Sequence, residues 1–203
     1  MTLLTRALVR PLPSTYDKVT TEHPARIDVN LAREQHLQYV SALEQLVDEV
    51  VWVSPLDHAP DSVFVEDQVV VLEDQCVITR SGHPQRRIER KGVAAGLSPW
   101  LETHWMKAPG TLDGGDVLRL GKHLFVGQSD RTNEEGTRYL ERVSSPMGYV
   151  VHRVNVNRDL HLKCVCSALR DDLVAVVSGV IPEGVFSGIA EVLPVPKEEA
   201  YAS

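Results

Sequence analysis

A recurrence constrains this chain more than any other feature. An acid or a histidine stands just ahead of an apolar, β-forming run three times, at Glu66, Asp113 and His161, with intervals of 47 and 48 residues. A fixed period of roughly 20–50 residues is the mark of repeated supersecondary units. Equivalent points of successive units face one axis, so the two acids and the histidine are expected to meet there. Val77, Val126 and Val176 keep nearly the same interval, 49 and 50 residues, in the second strand of each unit.

The repeated pattern is strand, turn, strand, helix, strand. The first unit has a strand at Ala7–Arg10, a Pro- and Thr-rich loop to Thr21, an amphipathic helix over 30–48 capped by Asp28, and a strand at Val50–Val53. The second opens on Asp61-Ser-Val-Phe-Val-Glu66-Asp67, with a strand over 63–72, an acidic turn at Glu73-Asp74 and a strand at Cys76–Thr79. Its helix spans Arg86–Leu97 and its closing strand Thr103–Lys107. The third repeats this with Asp116–Leu120, His123–Val126, a helix over Asn133–Val143 and Tyr149–Val154. The fourth has Leu162–Ala168, Leu173–Val177, a short helix near Gly184–Glu191 and Val192–Val195. Strands joined by crossover helices predict an α/β fold rather than a sandwich. Residues 1–203 are expected to form one domain that is either open or lacks a last unit.

Composition narrows the partners. A chain of 203 residues that is 43% hydrophobic can build a real core. A formal charge of −7 argues against nucleic acid, which needs a basic face. No apolar run approaches the roughly 18 residues of a membrane span. The first ten residues carry Arg inside their apolar stretch and no small-residue cleavage site, so no leader is expected. Three cysteines, Cys76, Cys164 and Cys166, suit a reducing compartment better than a disulfide framework. A cytoplasmic protein is expected.

The chemistry-bearing residues admit two readings each. Asp61, Glu66 and Asp67 are three unbalanced carboxylates beside an apolar run; they form a solvated acidic turn or they await a cation. His161 is a satisfied core histidine or a general acid/base, since imidazole titrates near neutrality. Asp113-Gly114-Gly115-Asp116 is a plain turn or a close backbone approach to a ligand. Arg80 and Arg131, 51 residues apart, are unrelated surface arginines or a bidentate clamp for a carboxylate. Acids at the floor and arginines at the rim suit an amino acid with a guanidinium side chain. Attack on a guanidinium carbon calls for a thiolate with a histidine to move protons. Cys164 and Cys166 are near His161 in sequence, but on an extended segment they lie about 10 Å or more beyond it. They are expected to share one strand face and to pack as small hydrophobes. A zinc site from these residues has spacing too close for the usual knuckle, and no metal or other cofactor is expected.

Taken in order, Pro60-Asp-Ser-Val-Phe-Val-Glu-Asp67, Val77-Ile-Thr-Arg80, Leu112-Asp-Gly-Gly-Asp116, Phe125-Val-Gly with Arg131-Thr-Asn133, and His161-Leu-Lys163 resemble the dimethylarginine dimethylaminohydrolase family of the pentein superfamily. The likeness runs from Ala7 to Ala202. It implies a pentein-type α/β propeller of five strand-strand-helix-strand units, about four of which are present. It also implies hydrolysis of Nω-methylated arginine to citrulline and a methylamine. By the same resemblance Asp61, Glu66 and Asp67 hold the cationic groups of the substrate, Arg80 and Arg131 its α-carboxylate, and Val19 meets it from a lid. His161 is the catalytic histidine and Asp113 the acid against the guanidinium. The family nucleophile is a cysteine in the fifth unit, matched by neither Cys164 nor Cys166, so the chain alone is expected to be inactive. The implied partner is a small guanidino amino acid, with neither nucleic acid nor membrane; a homodimer is compatible with the sequence. Another pentein enzyme (an arginine deiminase or amidinotransferase) and a non-catalytic pentein-like binding module are the alternatives.

Overall fold

The computed structural model describes residues 5–21, 26–156, 161–182 and 184–202. Strand β1 (Arg6–Val9) leads through a 3₁₀ turn at Tyr16–Lys18 to helix α1 (Val29–Leu43), and β2 (Glu49–Trp52) returns parallel to β1. Asp28 caps α1, its carboxylate accepting from the Asn30 and Leu31 amides. The expected helix over 30–48 stops at Leu43, because Asp48 and Glu49 donate to the Thr5 carbonyl and turn the chain into β2. Its amphipathic reading is only partly met: Val40 is the one buried residue of α1, and Leu46 beyond it is 74% exposed.

Three units then follow one plan. Strand β3 (Val69–Leu72) pairs antiparallel with β4 (Gln75–Ile78), helix α2 (Arg90–Leu97) crosses over, and β5 (Glu102–Trp105) lies parallel to β4. The same plan gives β6 (Val117–Leu120), β7 (His123–Gln128), α3 (Glu134–Ser144) and β8 (Val150–Asn155). The last unit has β9 (Cys166–Arg170), β10 (Leu173–Val177) and β11 (Glu191–Val195), again with the middle strand central. Here the expected helix at 184–191 is replaced by turns, in a stretch where Gly184 and Gly188 both take positive φ. Glycine disfavours a helix interior for this reason.

The hairpins explain the period. Glu73 and Gly121 both adopt positive φ, 55° and 56°, at the first position of the two-residue turns that join β3 to β4 and β6 to β7. Such turns match the twist of their strands. The register sets Ile78 opposite Val69, Val126 opposite Val117, and Val176 opposite Cys166. The residue of β4 equivalent to Val126 is therefore Ile78, one beyond the expected Val77.

Neighbouring units share their cores. Val70, Leu72 and Val77 pack with Val117, Leu124 and Val126, while Leu118, Leu120 and Phe125 pack with Leu162, Val174 and Phe186. Within β4 the alternation is clear: Val77 faces the third unit and Cys76 and Ile78 face α2. Among the described residues no helix is long and apolar enough to cross a membrane.

One carboxylate ties the third unit to the fourth. Buried Asp116 accepts from the Ser129 and Thr132 hydroxyls at 2.5 and 2.6 Å and from the Leu162 amide at 2.9 Å. Asp116→Ala leaves two buried donors and one part-buried donor without an acceptor, and should lower unfolding stability by about 3 kcal/mol. Urea unfolding measures this, and a loss below about 0.5 kcal/mol would show that water replaces the carboxylate.

Candidate active site

Three 3₁₀ turns build the site. The expected strands over 63–72, 116–120 and 162–168 each begin later, because a turn precedes them: Val65–Gln68 before β3, Gly114–Asp116 before β6, and Leu162–Cys164 before β9. The turns bring Asp67, Asp113 and His161 together, buried, with one polar atom of each within 4.8 Å of the others. His161 Nε2 lies 3.3 Å from Asp113 Oδ2, and Nδ1 lies 3.9 Å from Asp67 Oδ1. The approach is tight enough to demand the paired glycines. A Cβ on Gly114 would stand 2.0 Å from the Glu66 carbonyl, and one on Gly115 would stand 2.8 Å from the His161 ring. Gly115 instead donates its amide to Asp67 Oδ1 at 3.0 Å.

Electrostatics hold a proton in the cluster. Burial alone would lower the His161 pKa, but hydrogen bonds to Asp113 and Cys164 and the charges of Asp67 and Asp116 outweigh it and raise the pKa to about 10. Burial opposes ionisation of Asp113 too, and the hydrogen bonds from His161 and Ser81 reverse this and hold its pKa below the usual range. Asp116 goes the other way, since burial outweighs its hydroxyl donors and raises its pKa. Two carboxylates and an imidazole this close could hold a small cation. With the imidazole protonated, the trio is an ion-paired cluster, Nε2 against Asp113 and Nδ1 on the side of Asp67.

The unbalanced acids find their cations within the chain. Buried Arg86 donates to Asp67 Oδ2 at 2.5 Å, to Glu89, and to the carbonyls of Asp61 and Phe64. Lys163 reaches Glu66 at 2.6 Å across 97 residues of sequence. Arg10 fixes the same loop by donating to the Ser62 and Glu89 carbonyls. None of these three cations was a candidate from the sequence. The excess of acid at 61–67 was the available signal, and it pointed to a cation without saying whether ligand or protein supplies it.

A cavity of about 890 Å³ opens beside the cluster, lined by Asp61, Glu66, Asp67, Arg86, Gly115, Arg131 and His161 among others. Asp61 does not stand free in it: its carboxylate accepts from the Thr20 amide and hydroxyl, both at 3.0 Å. Val19 is not part of the wall, which takes Tyr16 and Thr20 from that segment. Nor is Arg80, which donates to the Gly110 carbonyl while its backbone bridges Leu112. In strand register Arg80 is equivalent to Gln128, three residues before Arg131, so the interval of 51 does not make the two arginines a pair. Arg131 does line the cavity, and its Nη1 is buried without a hydrogen-bond partner.

The thiols also differ from expectation. Because residues 162–164 form a turn closed by the Cys164 amide on the His161 carbonyl at 3.0 Å, Cys164 comes back to the imidazole and lines the cavity. It is exposed, whereas Cys166 is buried in β9, so the two share no face. Burial raises the pKa of Cys76 to about 11 and that of Cys166 to about 12.

Residues 14–188 match the protein family described as N,N dimethylarginine dimethylhydrolase, eukaryotic. The chain belongs to the dimethylarginine dimethylaminohydrolase family. An N(G),N(G)-dimethylarginine dimethylaminohydrolase of Streptomyces coelicolor is 42% identical over 197 residues, 95% of this chain and 75% of the relative. The enzyme of that name from Pseudomonas aeruginosa is 30% identical over 195 residues, 95% of this chain and 76% of the relative. The solved structure of the Pseudomonas family member, a cysteine-to-serine mutant complexed with citrulline, superposes with a TM-score of 0.90 at 28% identity, covering 98% of this chain and 79% of that one. The fold is thus the pentein-type α/β propeller, with repeated strand-strand-helix-strand units.

The proton balance of the cluster is measurable as stability. The folded-state pKa of His161, about 10, exceeds its ordinary 6.5, so its contribution is complete below pH 6.5 and is lost as pH rises toward 10. The depressed Asp113 contributes above its ordinary value of 3.8, and that part is lost on acidification. The stability gap between the native chain and His161→Asn should be widest near about pH 5–6 and close steadily from about pH 7 to 10. A gap that stays flat across the alkaline limb would mean that the imidazole is not charged in the fold.

Proposed function

We propose that this protein hydrolyses Nω-methylated arginine to citrulline and a methylamine. The observation that carries the reading is the buried, ion-paired Asp67–Asp113–His161 cluster, whose Asp67 and His161 line a cavity where Arg131 keeps an unpartnered guanidinium nitrogen. Asp67 and Asp113 face the substrate guanidinium and keep it cationic and electrophilic. A thiolate attacks the guanidinium carbon, His161 gives its proton to the departing methylamine, and the neutral imidazole then takes a proton from the water that displaces the sulfur. A His161 pKa near 10 suits the acid half of this cycle. Arg131 takes the α-carboxylate; Arg80, engaged elsewhere, is not given that role. Arg86 holds Asp67, and Glu66 and Asp61 act at the rim, through Lys163 and Thr20 respectively.

The attacking thiol comes, in this reading, from a cysteine outside these 203 residues, as the resemblance implies. The high pKa values of buried Cys76 and Cys166 are those of inert thiols and support this. A second reading rests on one contact: Cys164 lies against the His161 imidazole and lines the cavity. Citrulline formation separates the two. With an external thiol, the 203-residue chain binds methylarginine without turnover; turnover by this chain that Cys164→Ser abolishes transfers the role to Cys164.

Carboxylate recognition has its own test. Arg131→Ala should weaken Nω-methylarginine by about ten- to a hundredfold, the usual cost of a charged hydrogen-bonding partner. Binding of the decarboxylated analogue should change little. Equal weakening of both ligands in calorimetry removes Arg131 from that role.

A further inference from the structure

The segment before α1 is held against the site loop at both ends. The Ser14 amide donates to Asp57 Oδ1 at 2.8 Å and the Thr15 hydroxyl to the Asp57 carbonyl at 2.5 Å. Beyond the turn, Thr20 donates twice to Asp61. Tyr16, between these tethers, is thereby fixed in the cavity wall, its ring centroid 6.3 Å from that of Phe64 at an interplanar angle of 49°. The two rings come from different loops and border the same cavity as Asp61, Glu66 and Asp67.

Charge cannot tell a methylated guanidinium from a bare one, because both carry a single positive charge. Glu66, Asp67 and Asp113 are moreover each already matched by Lys163, Arg86 and His161. Discrimination needs a surface that gains from the methyl groups themselves. Aromatic faces beside carboxylates supply it, since they attract a cation while burying its alkyl substituents. We propose that Tyr16, with Phe64 beside it, is a specificity-determining residue that receives the N-methyl groups of an alkylated cationic head. This rests on the functional reading above and deepens it by naming the group that selects methylated over unmethylated substrate. Burial and the charge of Asp61 raise the phenol pKa, so the ring stays neutral at physiological pH.

Calorimetry with Nω,Nω-dimethylarginine and with arginine tests it. Tyr16→Ala should cost the dimethylated ligand about five- to tenfold in affinity and arginine less than about twofold, while Tyr16→Phe keeps the native preference. An unchanged preference in Tyr16→Ala, or equal losses for both ligands, overturns the proposal. Should Tyr16→Ala fail to fold by circular dichroism, Phe64→Ala gives the same readout from the adjoining ring, with the same outcomes. Tetramethylammonium, which has neither guanidine nor carboxylate, separates the two claims. If the native chain binds it and Tyr16→Ala does not, the aromatic wall stands even where no guanidino ligand binds and the functional reading falls. If the native chain binds neither it nor any methylated guanidine, the aromatic wall falls as well.

Discussion

The contact of Arg86 with Asp67 is the constraint from which the rest of the site follows. Both partners are buried, and a buried charge is tolerated only when paired and saturated with hydrogen bonds. Arg86 meets that demand by spending its remaining donors on Glu89 and on the carbonyls of Asp61 and Phe64. Gln68 donates to Glu89, and Arg10 donates to its carbonyl, closing the network. Burial nonetheless raises the Glu89 pKa more than its arginine partner lowers it. Such a network defines one geometry for residues 61–68 rather than adding much net stability. With that loop fixed, one oxygen of Asp67 is left to meet Gly115 and His161.

The propeller places chemistry by delaying its strands. Each hairpin opens with a short turn that keeps a polar residue off the ladder and aims it at the axis. In the second unit the turn carries Asp67, in the third it follows Asp113, and in the fourth it follows His161. The paired glycines between Asp113 and Asp116 let these turns meet at backbone contact, which a single Cβ would prevent. Asp116 is the counterpart of Arg86: Arg86 donates to acceptors within the second unit, and Asp116 accepts from donors of the third and fourth. The two aspartates of one tetrapeptide thus have different partners, Asp113 the His161 imidazole and Asp116 the hydroxyls and amide of the scaffold.

Motif resemblance named the family, and the sequence alone determined the repeat, the α/β class and most of the strands, although β3 begins at Val69 rather than at 63. These follow from local pattern: alternation along strands, two-residue turns, and the Asn133 cap, whose side chain accepts from the Gly136 amide. The same patterns put Asp113 and His161 at one axis, but the acid that joins them is Asp67 rather than Glu66, whose exposed carboxylate pairs with Lys163. What it could not determine is which charges neutralise which. Lys163 and Glu66 lie 97 residues apart, and Arg86 reaches Asp67 from a segment that reads as the start of a helix. The interval of 51 between Arg80 and Arg131 ignores the loop in which Arg131 sits, a displacement visible only in strand register. An extended chain would put Cys164 about 10 Å from the imidazole, and a single 3₁₀ turn, stabilised by the Asp116 contact to Leu162, returns it to the cavity. Periodicity is a property of neighbours in sequence and can be read there. Ion pairing and turn closure depend on distances across units, and only the packed tertiary structure sets those.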